Sequence, residues 1–125
     1  MTKFLVIAAL GLSAVSAQAQ SQSVGEIGYA RGSLGYDAIV SGDLRTAETQ
    51  IETARDIDAA DPARLINLGY IHMRTGRIQT AQRLFEAARD SARPEMLVLA
   101  NGEVISSREV ATRALTRIAP SLANR

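Results

Sequence analysis

The stretch Asp61-Pro62-Ala63-Arg64-Leu65-Ile66-Asn67-Leu68-Gly69-Tyr70 sets the start of a helix. Asp61 is an N-cap side chain, and Pro62 has the fixed φ and missing donor that suit the first helical position. The spacing predicts a helix from there to about Thr75, stopped at Gly76, whose tolerance of positive φ suits a helix end. A second helix is expected from about Arg77 to Asp90, because Ile78, Ala81, Leu84, Phe85 and Ala88 recur as one apolar stripe.

Shifting the chain against itself by thirty-four residues repeats this pattern upstream. Leu34 falls on Leu68, Gly35 on Gly69, Tyr36 on Tyr70, Gly42 on Gly76, Thr46 on Thr80 and Ala47 on Ala81. Further on, Ile51 meets Phe85, Glu52 meets Glu86, and Ala54-Arg55-Asp56 meets Ala88-Arg89-Asp90. The order Leu-Gly-Tyr, Gly seven residues after the first Gly, Ala five later, an apolar residue four beyond and Ala three beyond that resembles the tetratricopeptide repeat. The second unit matches better, with Leu65, Leu68, Gly69, Gly76, Ala81, Phe85 and Ala88 at the signature places. The first carries both Gly32 and Gly35 in its leading helix, expected over about residues 29–41 with a partner over about 43–58.

The spacing has its own physical reason. Two helices packed antiparallel at close range need small residues where backbones approach and large ones where a gap is filled. Gly35, Gly69, Ala47, Ala81, Ala54 and Ala88 form the small side; Leu34, Leu68, Leu65, Ile51 and Phe85 form the filling.

No third unit follows, since Gly102 and Glu103 stand where Leu and Gly would be needed. Instead Met96-Leu97-Val98-Leu99-Ala100 and Glu103-Val104-Ile105 flank Asn101-Gly102, which reads as a hairpin with a two-residue turn. A lone hairpin is marginal in water, so it is expected to lie on a helix or to pair with another chain. Ser106 and Glu109 fit a capping box for a last helix, with Val110, Ala111, Ala114, Leu115 and Ile118 on one face and Pro120 ending it after about Ala119. The expected fold is therefore all-α: two helix-turn-helix repeats of the tetratricopeptide type, about 28–61 and 62–95, forming a short α-solenoid. Residues 96–125 add a hairpin and a capping helix, and 20–28 a loose lead-in. Arg108, Arg113 and Arg117 beside the last apolar face leave a membrane-surface helix as a second reading, which the lack of large aromatics disfavours.

The start of the chain has a different character. Lys3 precedes an apolar stretch over 4–15, and Ala17-Gln18-Ala19 places small residues one and three before a cut. A secretory signal peptide over 1–19 is expected, and with it a periplasmic or secreted protein. The stretch is short of the roughly twenty residues a membrane span needs. Cutting there takes 19 of the 125 residues, leaving 106, and removes the one lysine. Thirteen arginines then balance thirteen acids.

Composition narrows function. With no cysteine there is no disulfide, thiolate metal site or cysteine nucleophile. A net charge of +1 with 22% charged residues gives no basic surplus for a nucleic acid. His72 is the one histidine, placed inside a helix where packing is its commoner use. Asp56, Asp58 and Asp61 lack the glycine and the final glutamate of a calcium loop. Gly25, Gly28, Gly32 and Gly35 miss the dinucleotide spacing. Neither an enzyme nor a cofactor is expected. Charge is split along the chain: residues 20–61 hold three Arg and eight acids, and residues 62–125 ten Arg and five acids. That division suits solvated helix faces, head-to-tail self-association or a partner whose charge is similarly divided.

The resemblance implies a concave face lined by the leading helices, in which a peptide or protein partner lies. Matching positions are Tyr36, Ile39 and Val40 in the first unit, and Ile66, Asn67, Tyr70, Met73 and Arg74 in the second. Tyr36 and Tyr70 stand out as rigid aromatics with a polar tip, and packing between units is the other reading of both. Of the Lys and Asn set with which some such proteins hold a terminal carboxylate, only Asn67 is present. The function expected is a non-enzymatic adaptor. The rival is a small assembly subunit that self-associates through its repeats.

Overall fold

The computed structural model of the chain describes residues 6–7, 34–99 and 101–124. Among them are five helices: α1 (Tyr36–Ser41), α2 (Leu44–Thr53), α3 (Pro62–Arg74), α4 (Ile78–Arg89) and α5 (Ser107–Ala123). Three short strands, β1 (Val6–Ile7), β2 (Met96–Leu99) and β3 (Val104–Ser106), form one sheet in that order. The fold is mostly helical, with an antiparallel β2–β3 hairpin. The expected signal segment and lead-in, apart from Val6 and Ile7, lie outside the described residues.

α3 and α4 follow the expected bounds closely. The Asp61 carboxylate accepts from the amides of Ala63 and Arg64, satisfying two of the orphan donors at the start of α3. The backbone turns left-handed at Gly42 and Gly76, after α1 and α3.

The first unit departs from expectation at both ends. Gly35 has φ +64°, so the backbone is left-handed there and α1 starts only at Tyr36. The expected earlier turns over 29–33 lie outside the described residues. α2 ends at Thr53 instead of running to Asp58, because Ala54 turns extended and Ile57 folds back into the core. The Ala54 carbonyl then accepts a 3.0 Å hydrogen bond from Arg64 Nη1 on α3. A contact from another helix thus satisfies an acceptor at the end of α2.

The close-packing pattern occurs twice. A β-carbon placed on Gly69 would stand 2.6 Å from Phe85 Cε1, and one on Gly35 would stand 3.2 Å from Ile51 Cδ1. Both pairs are sixteen residues apart, and Ala47 and Ala81 are fully buried in the corresponding helices. The small and large sides read from the sequence therefore meet. Full burial of Phe85 removes apolar surface worth about 1.5–3 kcal/mol.

Two apolar clusters result. Ala38, Ile39, Ala47, Ile51 and Ile71 join α1 and α2 to one face of α3. Ile66, Tyr70, Phe85, Leu97, Val110, Ala114 and Ile118 belong to a larger one that binds α3, α4, the hairpin and α5 together. Between the units, Asn67 is buried and its amide donates to the Leu34 carbonyl at 3.0 Å.

The hairpin lies on the helices, as a lone hairpin must. Leu97, Leu99 and Ile105 face the core. Its turn is longer than expected. The Leu99 amide donates to the Glu103 carbonyl and the Gly102 amide to the Leu99 carbonyl, so three residues separate the paired positions. Gly102 at φ +83° takes the left-handed place that a three-residue loop requires. Ser106 caps α5 by accepting from the Arg108 amide, while Glu109 pairs with Arg113 at 2.8 Å, one turn on. α5 also runs past Pro120 to Ala123. Pro120 is exposed and in the last turns, so the hydrogen bond it lacks leaves only the Thr116 carbonyl, on a solvent-facing stretch, to find water. Arg108 donates from Nε to the Arg89 carbonyl and from Nη2 to the Ser91 carbonyl, both at 3.1 Å, tying α5 to the end of α4.

Candidate functional site

The eight residues read as a concave face divide by burial. Ile39, Ile66, Asn67 and Tyr70 are buried. Tyr36 and Met73 are half-buried, while Val40 and Arg74 are exposed. The fold gives a reason for each. Ile39 and Ile66 fill the two clusters, and Asn67 is committed to Leu34. Tyr70, 5% exposed, packs its ring edge-on to Phe85, with centroids 5.3 Å apart and planes at 73°. Burial pushes its hydroxyl pKa up, opposed by the charges of Arg117 and Arg113 on α5.

The two tyrosines therefore share a repeat position but not an environment. Ile51 stands in the first unit where Phe85 stands in the second, and it offers Tyr36 no aromatic counterpart. Tyr36 keeps part of its surface; its pKa is raised by burial and secondarily by Asp37. One turn along α1, Val40 is 59% exposed, a large apolar side chain turned to solvent. Arg74, at the end of α3, reaches α1 by donating from Nη1 to the Ile39 carbonyl at 3.4 Å. Tyr36, Val40, Met73 and Arg74 are thus the accessible part of the expected face. Sequence periodicity could not separate them from the buried four, because tertiary contacts set the separation: α2 and α3 cover Ile39, Leu34 holds Asn67, and α4 and α5 join the cluster of Ile66 and Tyr70.

On the other side of α3 lies a charged cluster that spacing did not reveal. Arg77 donates from Nη1 and Nη2 to the two oxygens of Glu48 at 2.7 and 2.8 Å, a bidentate pair joining α2 to the start of α4. This hydrogen bonding holds the Glu48 carboxyl below its usual pKa. His72 Nε2 is 3.6 Å from Glu48 Oε1, and its buried Nδ1 has no hydrogen-bond partner among the described residues. Burial and the Arg77 charge push the His72 pKa down, favouring the neutral imidazole.

The acidic run Asp56, Asp58 and Asp61 serves the turn before α3 at two of its members. Asp58 accepts from the Ala60 amide, and Asp61 is the cap already described. No group of three His, Cys, Asp or Glu is disposed to hold a metal among the described residues. An open hollow of about 440 Å³ lies between that turn and the segment after α4, with Pro62, Leu65 and Ala87 in its lining and Asp58, Arg93 and Glu95 contributing charge. Among the described residues no helix is long and apolar enough to cross a membrane. Comparison of the chain with protein-family models, curated proteins and solved structures returns no match.

Proposed function

We propose that residues 34–90 are two tandem helical-hairpin repeats of the tetratricopeptide type and that the chain is an exported, non-enzymatic adaptor. It binds a peptide or protein partner on the accessible part of the leading-helix face. The observation carrying this reading is Val40, exposed one turn beyond Tyr36, beside an α1 that Arg74 ties to α3. An apolar side chain flanked by a half-exposed aromatic and a cation is the composition of a contact centre with a polar rim.

Binding should fail when that centre is charged. Periplasmic extract is passed over the immobilised protein, and retained proteins are compared between wild type, Val40→Glu and the control Thr112→Glu on the exposed side of α5. A partner kept by wild type and control but lost by Val40→Glu supports the reading. Retention by all three proteins places the contact elsewhere. A self-associating subunit is distinguished by light scattering after size exclusion: a mass that rises with concentration favours assembly. Export is tested by mass spectrometry of the mature protein, which is expected to begin at Gln20.

A further inference from the structure

β2 lies between β1 and β3, with a register of Leu97 against Ile105 and Val98 against Val104 on one side, and Val6 against Val98 and Ile7 against Leu99, in parallel, on the other. The Leu99 amide and the Glu95 carbonyl both bond toward β3 or the residue that follows it. Successive backbone groups of a strand point to opposite edges, so the amides and carbonyls of Met96 and Val98 face β1. An edge of this kind is a template for another strand. Two residues occupy it here, and both come from the segment expected to be cut away.

The sheet also has two usable faces beside that edge. Leu97 and Leu99 point into the core, whereas Met96 (41% exposed) and Val104 (52%) point outward with the half-buried Val98. Neighbouring residues in register share a face. An incoming residue opposite Val98 therefore joins the outer apolar patch, and one opposite Leu99 lies on the core side. The two residues in register with these positions, Val6 and Ile7, are consecutive in sequence, apolar and β-branched.

We propose that the edge of β2 is a strand-docking site, closed by Val6–Ile7 until residues 1–19 are removed, which then takes an extended β-branched segment of a partner protein running parallel to β2. The timing rests on the export reading above; the site itself does not. A second copy of the processed chain is not the occupant, because it has lost the segment that pairs with this edge.

The test uses the full chain. In a parallel ladder Val98 bonds to the residues flanking Val6, so the donor to the Val98 carbonyl is the Ile7 amide. Ile7→Pro removes that donor and disfavours pairing, and it leaves intact both core clusters, which are built from residues 34–122. The probe is a labelled peptide carrying residues 3–10 with a solubilising lysine tail, followed by fluorescence anisotropy. Wild type should bind it at least about tenfold more weakly than Ile7→Pro, since its tethered segment competes at high effective concentration. A peptide with Pro at the position of Ile7 should not bind. Amide exchange provides a second readout: the Val98 amide should be protected in wild type, exchange freely in Ile7→Pro and regain protection with peptide. The Leu97 amide, which faces β3, should stay protected throughout. Equal peptide binding by wild type and variant, or no change at Val98, overturns the proposal; so does dimerisation of Ile7→Pro through this edge. An exported chain that keeps Met1 would overturn the export reading and the timing, while peptide binding to Ile7→Pro would still establish the edge.

Discussion

Gly69 faces the ring of Phe85 so closely that a single added methyl would lie within 3 Å of three ring carbons. Phe85 is fully buried, so the ring has little room to retreat. Gly69→Ala should therefore destabilise by roughly 1–3 kcal/mol through overpacking, despite alanine's better helix propensity. Gly69→Ala with Phe85→Leu should recover part of that loss, whereas the exposed control Gln79→Ala should change stability by less than about 0.5 kcal/mol. Denaturant melts of these proteins decide it, and a stabilised Gly69→Ala would show the contact to be slack.

Asn67 joins the units through the Leu34 carbonyl. Asn67→Leu should cost about 0.5–1.5 kcal/mol, the net worth of the lost hydrogen bond. Asn67→Asp should cost at least as much at pH 7, because an ionised carboxylate cannot donate to that carbonyl. Protection of amides in α1 and α2 should fall first, while those of α4 and α5 hold, and hydrogen exchange would read the difference.

Tyr70 and Tyr36 should separate in their roles. Tyr70→Ala empties a filled core position and should cost about 3 kcal/mol of stability. Tyr36→Ala should cost less and, with a captured partner, weaken binding by roughly five- to thirtyfold, or about 1–2 kcal/mol. Calorimetry beside thermal melts separates them; a Tyr36→Ala protein that binds normally removes that residue from the contact.

Acid should weaken the fold in two stages. The His72 pKa is lower in the folded chain than the unfolded value near 6.5, so the unfolded state takes up its proton first. Stability is then fully present above that unfolded value and falls as pH drops from it toward the folded pKa. Glu48, also depressed, adds a further loss as pH passes below the usual glutamate range. Burial and the Arg77 charge disfavour the imidazolium, and the charges of Glu48 and Glu52 oppose them only in part. His72→Gln should flatten the upper stage and leave the lower one, as urea midpoints across pH 4–8 would show.

The two-helix unit was legible because its signals are local. Asp61 with Pro62, and Gly69 with Phe85, state a cap and a close contact within a few turns of chain. What escaped was set from outside the segment concerned. α2 stops where Arg64 reaches Ala54, and Tyr70 is buried where α5 comes down beside α3. The hairpin loop escaped for a different reason: Asn101-Gly102 suits a two-residue turn, but the inward placing of Leu97, Leu99 and Ile105 fixes a register that requires three. The accessible residues are all among the eight candidates, yet nothing in their spacing said which four would remain at the surface.

Arg64, Arg74 and Arg108 spend their guanidinium groups on main-chain oxygens, and Arg108 spans two of them at once. An ammonium group is a compact charge without that planar fork, so lysine is a poor substitute at such a bracket. These cations act as braces between helices, and bonds of this kind respond less to ionic strength than exposed ion pairs do. Part of the positive character of the second half of the chain, three of its ten arginines, is therefore mechanical, and a molar salt solution that strips away weakly held electrolytes should leave these braces in place.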